Sequence, residues 1–128
     1  MINNLKDYKL VVGSFRLLTP IILEDTVQMS CDLQDENQKI LVDTGVSYNV
    51  DHLIGQVDCL DKIDIMSKFG VDHLVRFDWY LENHLRFLNK EKLAYGLIHF
   101  YEPYWEDLMV KLFEAKEKGL IDHVGRSE

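Results

Sequence analysis

The sequence has little cysteine, little proline and no long apolar run. Its two cysteines, Cys31 and Cys59, form no Cys-x-x-Cys pair or ligand-spaced cluster, and we expect free thiols in a reducing, cytoplasmic compartment. The two prolines and seven glycines are dispersed, so no linker is indicated. No apolar run approaches the roughly 20 residues that cross a bilayer. No basic segment followed by an apolar one opens the chain, so neither a membrane span nor a secretory signal is expected.

Positive charge is also scarce. The 128 residues hold 14 Lys and Arg against 22 Asp and Glu, a net charge of −8, which a nucleic-acid backbone would repel. A composition of 47% hydrophobic and 28% charged residues excludes disorder. The length predicts one domain spanning residues 1–128, or about half of a (β/α)₈ barrel, which takes roughly 250 residues.

Short β-type runs recur along the chain and begin 24 to 30 residues apart. This is the length of a strand and a helix together, whereas an antiparallel sandwich would show a turn about every 8–12 residues. The predicted strands are Lys9–Phe15, Lys39–Asp43, Ile63–Ser67, Leu93–His99 and Leu120–Gly125.

Four helices are predicted between these strands. The third carries an apolar stripe of Phe77, Leu81, Leu85 and Leu88, and the fourth one of Trp105, Leu108, Met109, Leu112 and Phe113. We expect Asp78 to cap the third helix, Pro103 to stand in the first turn of the fourth, and Gly119 to end it. The predicted ranges are Glu24–Glu36, Val50–Val57, Asp78–Leu88 and a fourth helix from Pro103 to Lys118.

This alternation predicts an α/β fold with parallel strands and right-handed crossovers. Two architectures are compatible with it: an open, doubly wound sheet, and part of a TIM-type barrel. In both, functional residues should lie just past the carboxyl ends of the strands.

Four chemically distinctive side chains lie at those ends. Asp43 ends the second strand and Tyr48 comes five residues later, while Lys68 follows the third strand and His99 ends the fourth. Each alone is also explained as a turn cap, a rim aromatic, a solvated charge or a histidine beneath a loop. On adjacent parallel strands, however, we expect these side chains to meet at one rim.

Together these four groups suit the reduction of a carbonyl. A phenol titrates near pH 10, but a neighbouring ammonium favours the phenolate and lowers the phenol's pKa. A carboxylate beside the lysine keeps it charged and oriented, and a neutral histidine can bind the substrate oxygen. Carbonyl reduction needs a proton on oxygen and polar groups where negative charge develops. No metal is expected, because neither His99 with Glu102 nor the acidic group Asp58, Asp61 and Asp64 has a specific ligand spacing.

The same segments resemble motifs of the aldo-keto reductase family. Residues 43–49 are similar to its D-T-A-x-x-Y-G, and residues 65–70, I-M-S-K-F-G, to its I-x-T-K-F-G. Residues 97–100 resemble L-I-H-x, and residues 105–128 resemble the family's segment through strand five. Gly13-Ser14-Phe15-Arg16 resembles the turn after its first strand.

The resemblance implies an N-terminal part of a TIM-type barrel, with about five parallel strands and four helices. It implies NAD(P)H-dependent reduction of a small carbonyl compound, with NADPH or NADH as cofactor. Tyr48 would donate the proton, and Lys68 would tune the phenol of Tyr48. Asp43 would pair with Lys68, and His99 would orient the substrate. Ser127 and Asp43 would contact the cofactor, and Phe100 and Trp105 would form one wall of the substrate pocket.

The sequence also departs from the family. Asn49 stands where the family has Gly, Glu128 stands where it has Asn, and the resemblance stops at strand five. We therefore expect open edges and exposed apolar strand faces, which a second copy or a partner chain would cover. The alternative is a non-catalytic, shortened derivative or truncated product that binds a small molecule or a protein. The strand residues expected to seek cover are Val11, Ile40, Val42, Ile65, Leu97 and Ile98.

Overall fold

The five predicted strands form one parallel sheet in the computed structural model, which describes residues 8–13, 28, 32, 39–46 and 51–126. Each strand begins within one residue of its predicted start, because buried β-branched and apolar runs bounded by polar residues mark a strand locally. The strands are β1 Tyr8–Gly13, β2 Lys39–Gly45, β3 Ile63–Phe69, β4 Leu93–Ile98 and β5 Ile121–Arg126.

Three helices lie among the described residues: α1 Asp51–Ile54, α2 Phe77–Leu88 and α3 Trp105–Glu117. The helix expected over Val50–Val57 is shorter than predicted. It ends where Gly55 follows, and a Cβ on Gly55 would lie 2.4 Å from the carbonyl oxygen of Phe87 in α2. Gln28 and Asp32 have helical backbone, and the rest of the helix predicted over Glu24–Glu36 lies outside the described residues.

The strand order decides between the two architectures. The order is β1-β2-β3-β4-β5, and every neighbouring pair is parallel. Each crossover therefore advances by one strand in the same direction, whereas a doubly wound sheet reverses direction at a switch point. Right-handed crossovers in a single direction place all helices on one face and leave the other face for a barrel interior. The prediction of a partial TIM-type fold is confirmed.

The core lies between the sheet and these helices. The predicted stripe of α2 is confirmed, with Phe77, Leu81, Leu85 and Leu88 all buried. In α3 the stripe is partly wrong, because Phe113 is half exposed and Ala115 is buried instead. Phe113 follows the buried Leu112 directly and therefore points about 100° away from it around the helix.

Most of the strand residues expected to need cover from a second chain are instead covered within this chain. Ile40, Val42, Ile65 and Ile98 are at most 1% exposed, because they face the helices rather than the barrel interior. Among the named residues whose side chains are described, Leu97 alone lies on the sheet face opposite the helices, which we call the open face, and it is partly buried. A smaller apolar cluster of Leu41, Ala94 and Tyr95, with Met66 and Leu97 packed against them, includes the apolar side chains of this open face.

The helix ends confirm one of the three predictions made for them and correct the other two. Gly119 has φ of +80° just after α3, as predicted for the residue that ends it. Asp78 does not cap α2, because that helix begins one residue earlier, so Asp78 lies in the first turn behind Arg76. Its carboxylate still faces the positive end of the helix dipole. Pro103 stands two residues before α3 rather than inside it.

The cysteines differ from the prediction. Cys59 is disulfide-bonded, so the expectation of free thiols is wrong, and the cysteines no longer argue for a reducing compartment. Sequence neighbours say little about a disulfide, which forms when two Cα atoms come within about 7 Å in the folded chain. Cys31 lies outside the described residues. Within the described ranges, no helix is both long and apolar enough to cross a bilayer.

Candidate active site

An ion pair stands at the carboxyl end of the open sheet face. Lys68 Nζ donates to Asp43 Oδ1 at 2.5 Å, joining the ends of β3 and β2. The two side chains keep only 15% and 28% of their surface exposed. A partly buried, charge-assisted hydrogen bond of this kind holds the ammonium in one place. The expected pairing of Asp43 with Lys68 is therefore present.

His99 lies beside this pair, directly after β4. Its backbone N–H donates to the carbonyl oxygen of Phe69 at 2.9 Å, which fixes the start of the loop against β3. Its ring stacks on Phe100 with centroids 4.0 Å apart. Burial lowers the pKa of His99, and the Lys68 ammonium lowers it further against the opposing effect of Asp43 and Glu102. The imidazole is therefore neutral at pH 7, as binding a substrate oxygen requires.

Lys68 and His99 line one cavity of about 350 Å³. This volume lies within the usual range for small-molecule sites, about 300–1,000 Å³. The cavity opens at the carboxyl ends of the strands, where barrels of this type carry their chemistry. Its lining consists of Val46, Lys68, Gly70, Asp72, His73, His99, Phe100 and Glu102.

The other predicted site residues fall in three groups. Phe100 lines the cavity and is 60% exposed. Trp105 does not line it, but packs against the core and meets Tyr101 edge-on at 4.9 Å. Tyr48 and Ser127 lie outside the described residues.

Sequence reasoning missed His73, which is buried in the cavity wall. The backbone N–H of Gly70 donates to its Nδ1 at 2.9 Å, so in the neutral ring Nε2 carries the proton. The ring packs edge-on against Tyr80 at 4.8 Å. Burial lowers the pKa of His73, Asp72 raises it and His84 lowers it. Lys68 was found by looking for chemically distinctive side chains at the carboxyl ends of strands. The same search would have found His73, which lies four residues after β3 ends.

Among the residues that the structure describes, no three His, Cys, Asp or Glu side chains group as metal ligands would. The acids at the cavity are Asp72, which is exposed, and Glu102, which lies on the loop after β4. The arrangement is therefore a fixed ammonium and a neutral imidazole at one mouth, with carboxylates around it. Such a set can polarise and orient a carbonyl oxygen.

The fold was compared with known proteins. No protein-family model and no curated protein matches the chain. Among solved structures, a thermostable aldo-keto reductase in complex with the inhibitor epalrestat superposes with a TM-score of 0.76 at 21% identity. An aldo-keto reductase from Klebsiella pneumoniae in complex with NADP and acetate gives 0.73 at 18%, and aldose reductase from Giardia lamblia gives 0.75 at 14%. These similarities show a shared fold.

The chain spans about half the length of these structures. The matches cover 93%, 93% and 95% of this chain, but only 48%, 45% and 50% of the thermostable, Klebsiella and Giardia proteins respectively. The aldo-keto reductase resemblance in the sequence motifs is thereby confirmed at the level of the fold. The five strands correspond to part of the barrel, and the matched structures are about twice as long as this chain.

Proposed function

We propose that this chain carries the proton-transfer half of an aldo-keto reductase site and reduces small aldehydes or ketones with NADPH or NADH. The observation that supports this most is the Lys68–Asp43 ion pair beside a neutral His99, at the strand ends of an aldo-keto reductase fold. Ammonium, carboxylate and neutral imidazole are the groups that a tyrosine proton donor needs around it.

Each residue then has one role. Tyr48, three residues beyond the described end of β2, donates the proton to the carbonyl oxygen. Lys68 lowers the pKa of that phenol, and Asp43 keeps the ammonium in place. His99 binds the same oxygen and orients the substrate in the cavity, whose Val46 and Phe100 supply apolar contact.

The cofactor fits these residues only in part. When bound, a reduced nicotinamide supplies the hydride. The polar mouth beside Lys68 and His99 suits an uncharged ring and amide, but it does not suit phosphates. The one ammonium among the lining residues is paired with Asp43, and Asp72 and Glu102 add negative charge. Phosphates would therefore need cations beyond the described cavity.

A second copy or a partner chain would complete the barrel. The open face carries Leu41, Tyr95, Met66 and Leu97, none of the helices α1 to α3 packs over it, and the structural relatives are about twice as long. In a closed barrel this face is the packed interior, filled by side chains from all eight strands. We expect the completing half to supply the phosphate contacts as well.

The experiment is a reduction assay with purified chain. An aromatic aldehyde is mixed with NADPH or NADH, and the loss of the reduced-nicotinamide absorbance is followed. Tyr48→Phe should lower turnover by about 100-fold or more, because it deletes a general acid. Lys68→Met should act similarly, by returning the phenol pKa to its ordinary value. Tyr104→Phe, at an exposed tyrosine outside the cavity lining, is the matched control and should leave the rate unchanged.

Two results would contradict the proposal. If Tyr48→Phe retains the wild-type rate, the proton does not come from that phenol. If wild type reduces nothing with either cofactor, even at concentrations at which it associates, the chain is not a reductase by itself. The second result favours the non-catalytic alternative, which the coverage of only half a barrel supports. Binding of an aldehyde or nicotinamide without turnover, measured by protein fluorescence, would then identify it.

A further inference from the structure

A second cavity lies at the amino ends of the strands, at the opposite end of the sheet from the candidate site. Its volume is about 290 Å³, and residues at or near the starts of β2, β3, β4 and β5 line it. Three lysines stand around it: Lys39, Lys90 and Lys92. Barrels of this type carry their chemistry at the carboxyl ends of the strands, so this cavity is separate from the candidate site.

Two of the three lysines are paired with carboxylates. Lys39 Nζ lies 3.5 Å from Asp64 Oδ1, and Lys92 Nζ lies 3.0 Å from Asp122 Oδ1. The lysine side chains keep 58% and 56% of their surface exposed. Both are ordinary surface ion pairs, in which water and a carboxylate surround the ammonium.

Lys90 is held differently, on the segment between α2 and β4. Its side chain is partly buried, and Nζ donates to the main-chain carbonyl oxygen of Leu60 at 2.8 Å. Among the residues that the structure describes, this is its one side-chain hydrogen bond, and it forms no ion pair. An ammonium has three N–H donors, and the protein satisfies one of them here. A neutral amine needs fewer partners, so the site suits the uncharged form of this lysine.

The charges around Lys90 agree with this geometry. Burial is the largest influence and lowers the pKa of Lys90, while Asp64 and Asp61 raise it and Lys39 lowers it further. The net shift is downward, so more of this amine is unprotonated at neutral pH than in an ordinary lysine. The unprotonated amine is the form that acts as a nucleophile. The other charged groups around the cavity are Glu91, Lys92 and Asp122.

The surroundings of Lys90 also fit an acylated product. An amide on Nζ keeps one N–H, which is enough to maintain the bond to the Leu60 carbonyl oxygen. Acylation removes the positive charge, which burial disfavours. Ile65 and Ala94 contribute apolar surface to the cavity, against which a short acyl chain packs. Lys39 and Lys92 would lose a carboxylate contact on acylation, whereas Lys90 has none to lose.

We propose that Lys90 is an acylation site, which takes a short acyl group from an acyl phosphate or an acyl thioester. The lone pair of the amine attacks the acyl carbon, and a C–N bond forms. The bond from that carbon to the phosphate oxygen or to the sulfur breaks, and its electron pair leaves with the phosphate or the thiolate. The proton on nitrogen passes to water, and a neutral amide remains.

The test measures the acylation rate at each lysine of the full, folded chain. One series of samples receives acetyl phosphate at pH 7.5, and another receives acetyl-CoA. The remaining amines are then labelled with deuterated acetic anhydride in denaturant, and peptides cut after glutamate are analysed by mass spectrometry. Because Glu91 separates Lys90 from Lys92, this cut reports the two lysines individually.

We expect Lys90 to react about 3- to 10-fold faster than Lys39 and Lys92, with at least one donor. Each unit by which a pKa falls raises the unprotonated fraction tenfold, and the weaker nucleophilicity of a less basic amine offsets part of this gain. The preference should shrink as the pH approaches about 10.4, where ordinary lysines lose their protons as well.

Two controls separate the folded cavity from local sequence. In concentrated urea the three lysines should react at similar rates, because the burial of Lys90 is lost. In Lys90→Arg, which keeps an N–H donor for the Leu60 carbonyl oxygen, the fast site should disappear without a faster reaction at Lys39 or Lys92. Circular dichroism checks that this variant and the acylated wild type keep the fold.

The outcomes decide the proposal. Preferential acylation of Lys90 by one donor alone supports it and identifies the source of the acyl group, and acylation by both supports it for both sources. If Lys90 in the folded chain reacts no faster than Lys39 and Lys92 with either donor, burial shields the amine instead of activating it, and the proposal is wrong. A preference that persists in urea comes from neighbouring residues in sequence and also contradicts it.

Discussion

The two faces of β3 differ in burial, because its side chains point alternately to the helices and to the open face. Ile63, Ile65, Ser67 and Phe69 point to the helices and are buried, while Asp64, Met66 and Lys68 point to the open face and are partly exposed. Ser67 and Lys68 are neighbours in sequence, yet Ser67 is hydrogen-bonded to the buried His84, whereas Lys68 belongs to the candidate site. Because side chains alternate in a strand, one face can be given to stability while the other is left accessible for chemistry.

The two polar clusters differ in the same way. Lys68 and Asp43 keep some contact with water, so their charges remain available to a ligand and are partly screened. Asp51, His84 and Ser67 have almost no contact with water, so their hydrogen bonds fix the relative positions of the elements that carry them. The positions on the helix side therefore stabilise the packing of the sheet, and those on the open side are accessible to a ligand.

The sharpest test of this division replaces two consecutive residues of β3. Ile65→Ala should lower the free energy of unfolding by about 2–5 kcal/mol, because it leaves a cavity in the helix-side core. Met66→Ala should cost about 1 kcal/mol, because Met66 is only partly buried. Urea unfolding at low protein concentration measures both. Equal losses would mean that the open face is packed as tightly as the helix face.

A second prediction concerns what covers the open face. If a second copy lies over it, wild type should be a dimer or larger by light scattering at micromolar concentration, and Leu97→Lys should shift it to monomer. A charge placed in an apolar interface without a partner is costly. Phe113→Lys, at a half-exposed position on the outer side of α3, should leave the assembly unchanged. Wild type that is monomeric throughout would favour a different partner or an uncovered face.

The smallest effect is expected from pH. Burial lowers the pKa values of His73 and His99, so below the unfolded pKa near 6.5 the unfolded chain binds protons that the folded chain does not. These two residues contribute no pH dependence well above 6.5, and they destabilise the fold as pH falls from 6.5 through their folded pKa values.

Urea unfolding at pH 7.5 and pH 5.5 measures this contribution by comparing wild type with His73→Asn, in which an amide oxygen can still accept from Gly70. The variant should lose less stability on acidification, since the histidine is removed while its titratable neighbours, Asp72 and His84, are kept. An identical loss in both proteins would show that burial does not act on this histidine. The same pair of measurements on His99→Asn, beside Lys68, Asp43 and Glu102, should give a smaller difference because His99 is more accessible.

Much of the fold follows from local patterns. The starts of all five strands and the stripe of α2 follow from the spacing of apolar residues, which neighbouring side chains alone decide. The residue types at the strand ends pointed to Asp43, Lys68 and His99 for the same reason. Alternation of strands and helices restricted the topology, but it left two architectures open.

The sequence by itself therefore determined which elements form and which groups stand at their ends. Tertiary structure alone decided the winding direction of the sheet and the disulfide at Cys59. It also decided that Ser67 and His84, which no pattern marked, meet with Asp51 inside the core. The physical reason is distance along the chain. Periodicity reports which way a side chain points within its own element, whereas the partners of a buried polar group come from elements that only packing brings together.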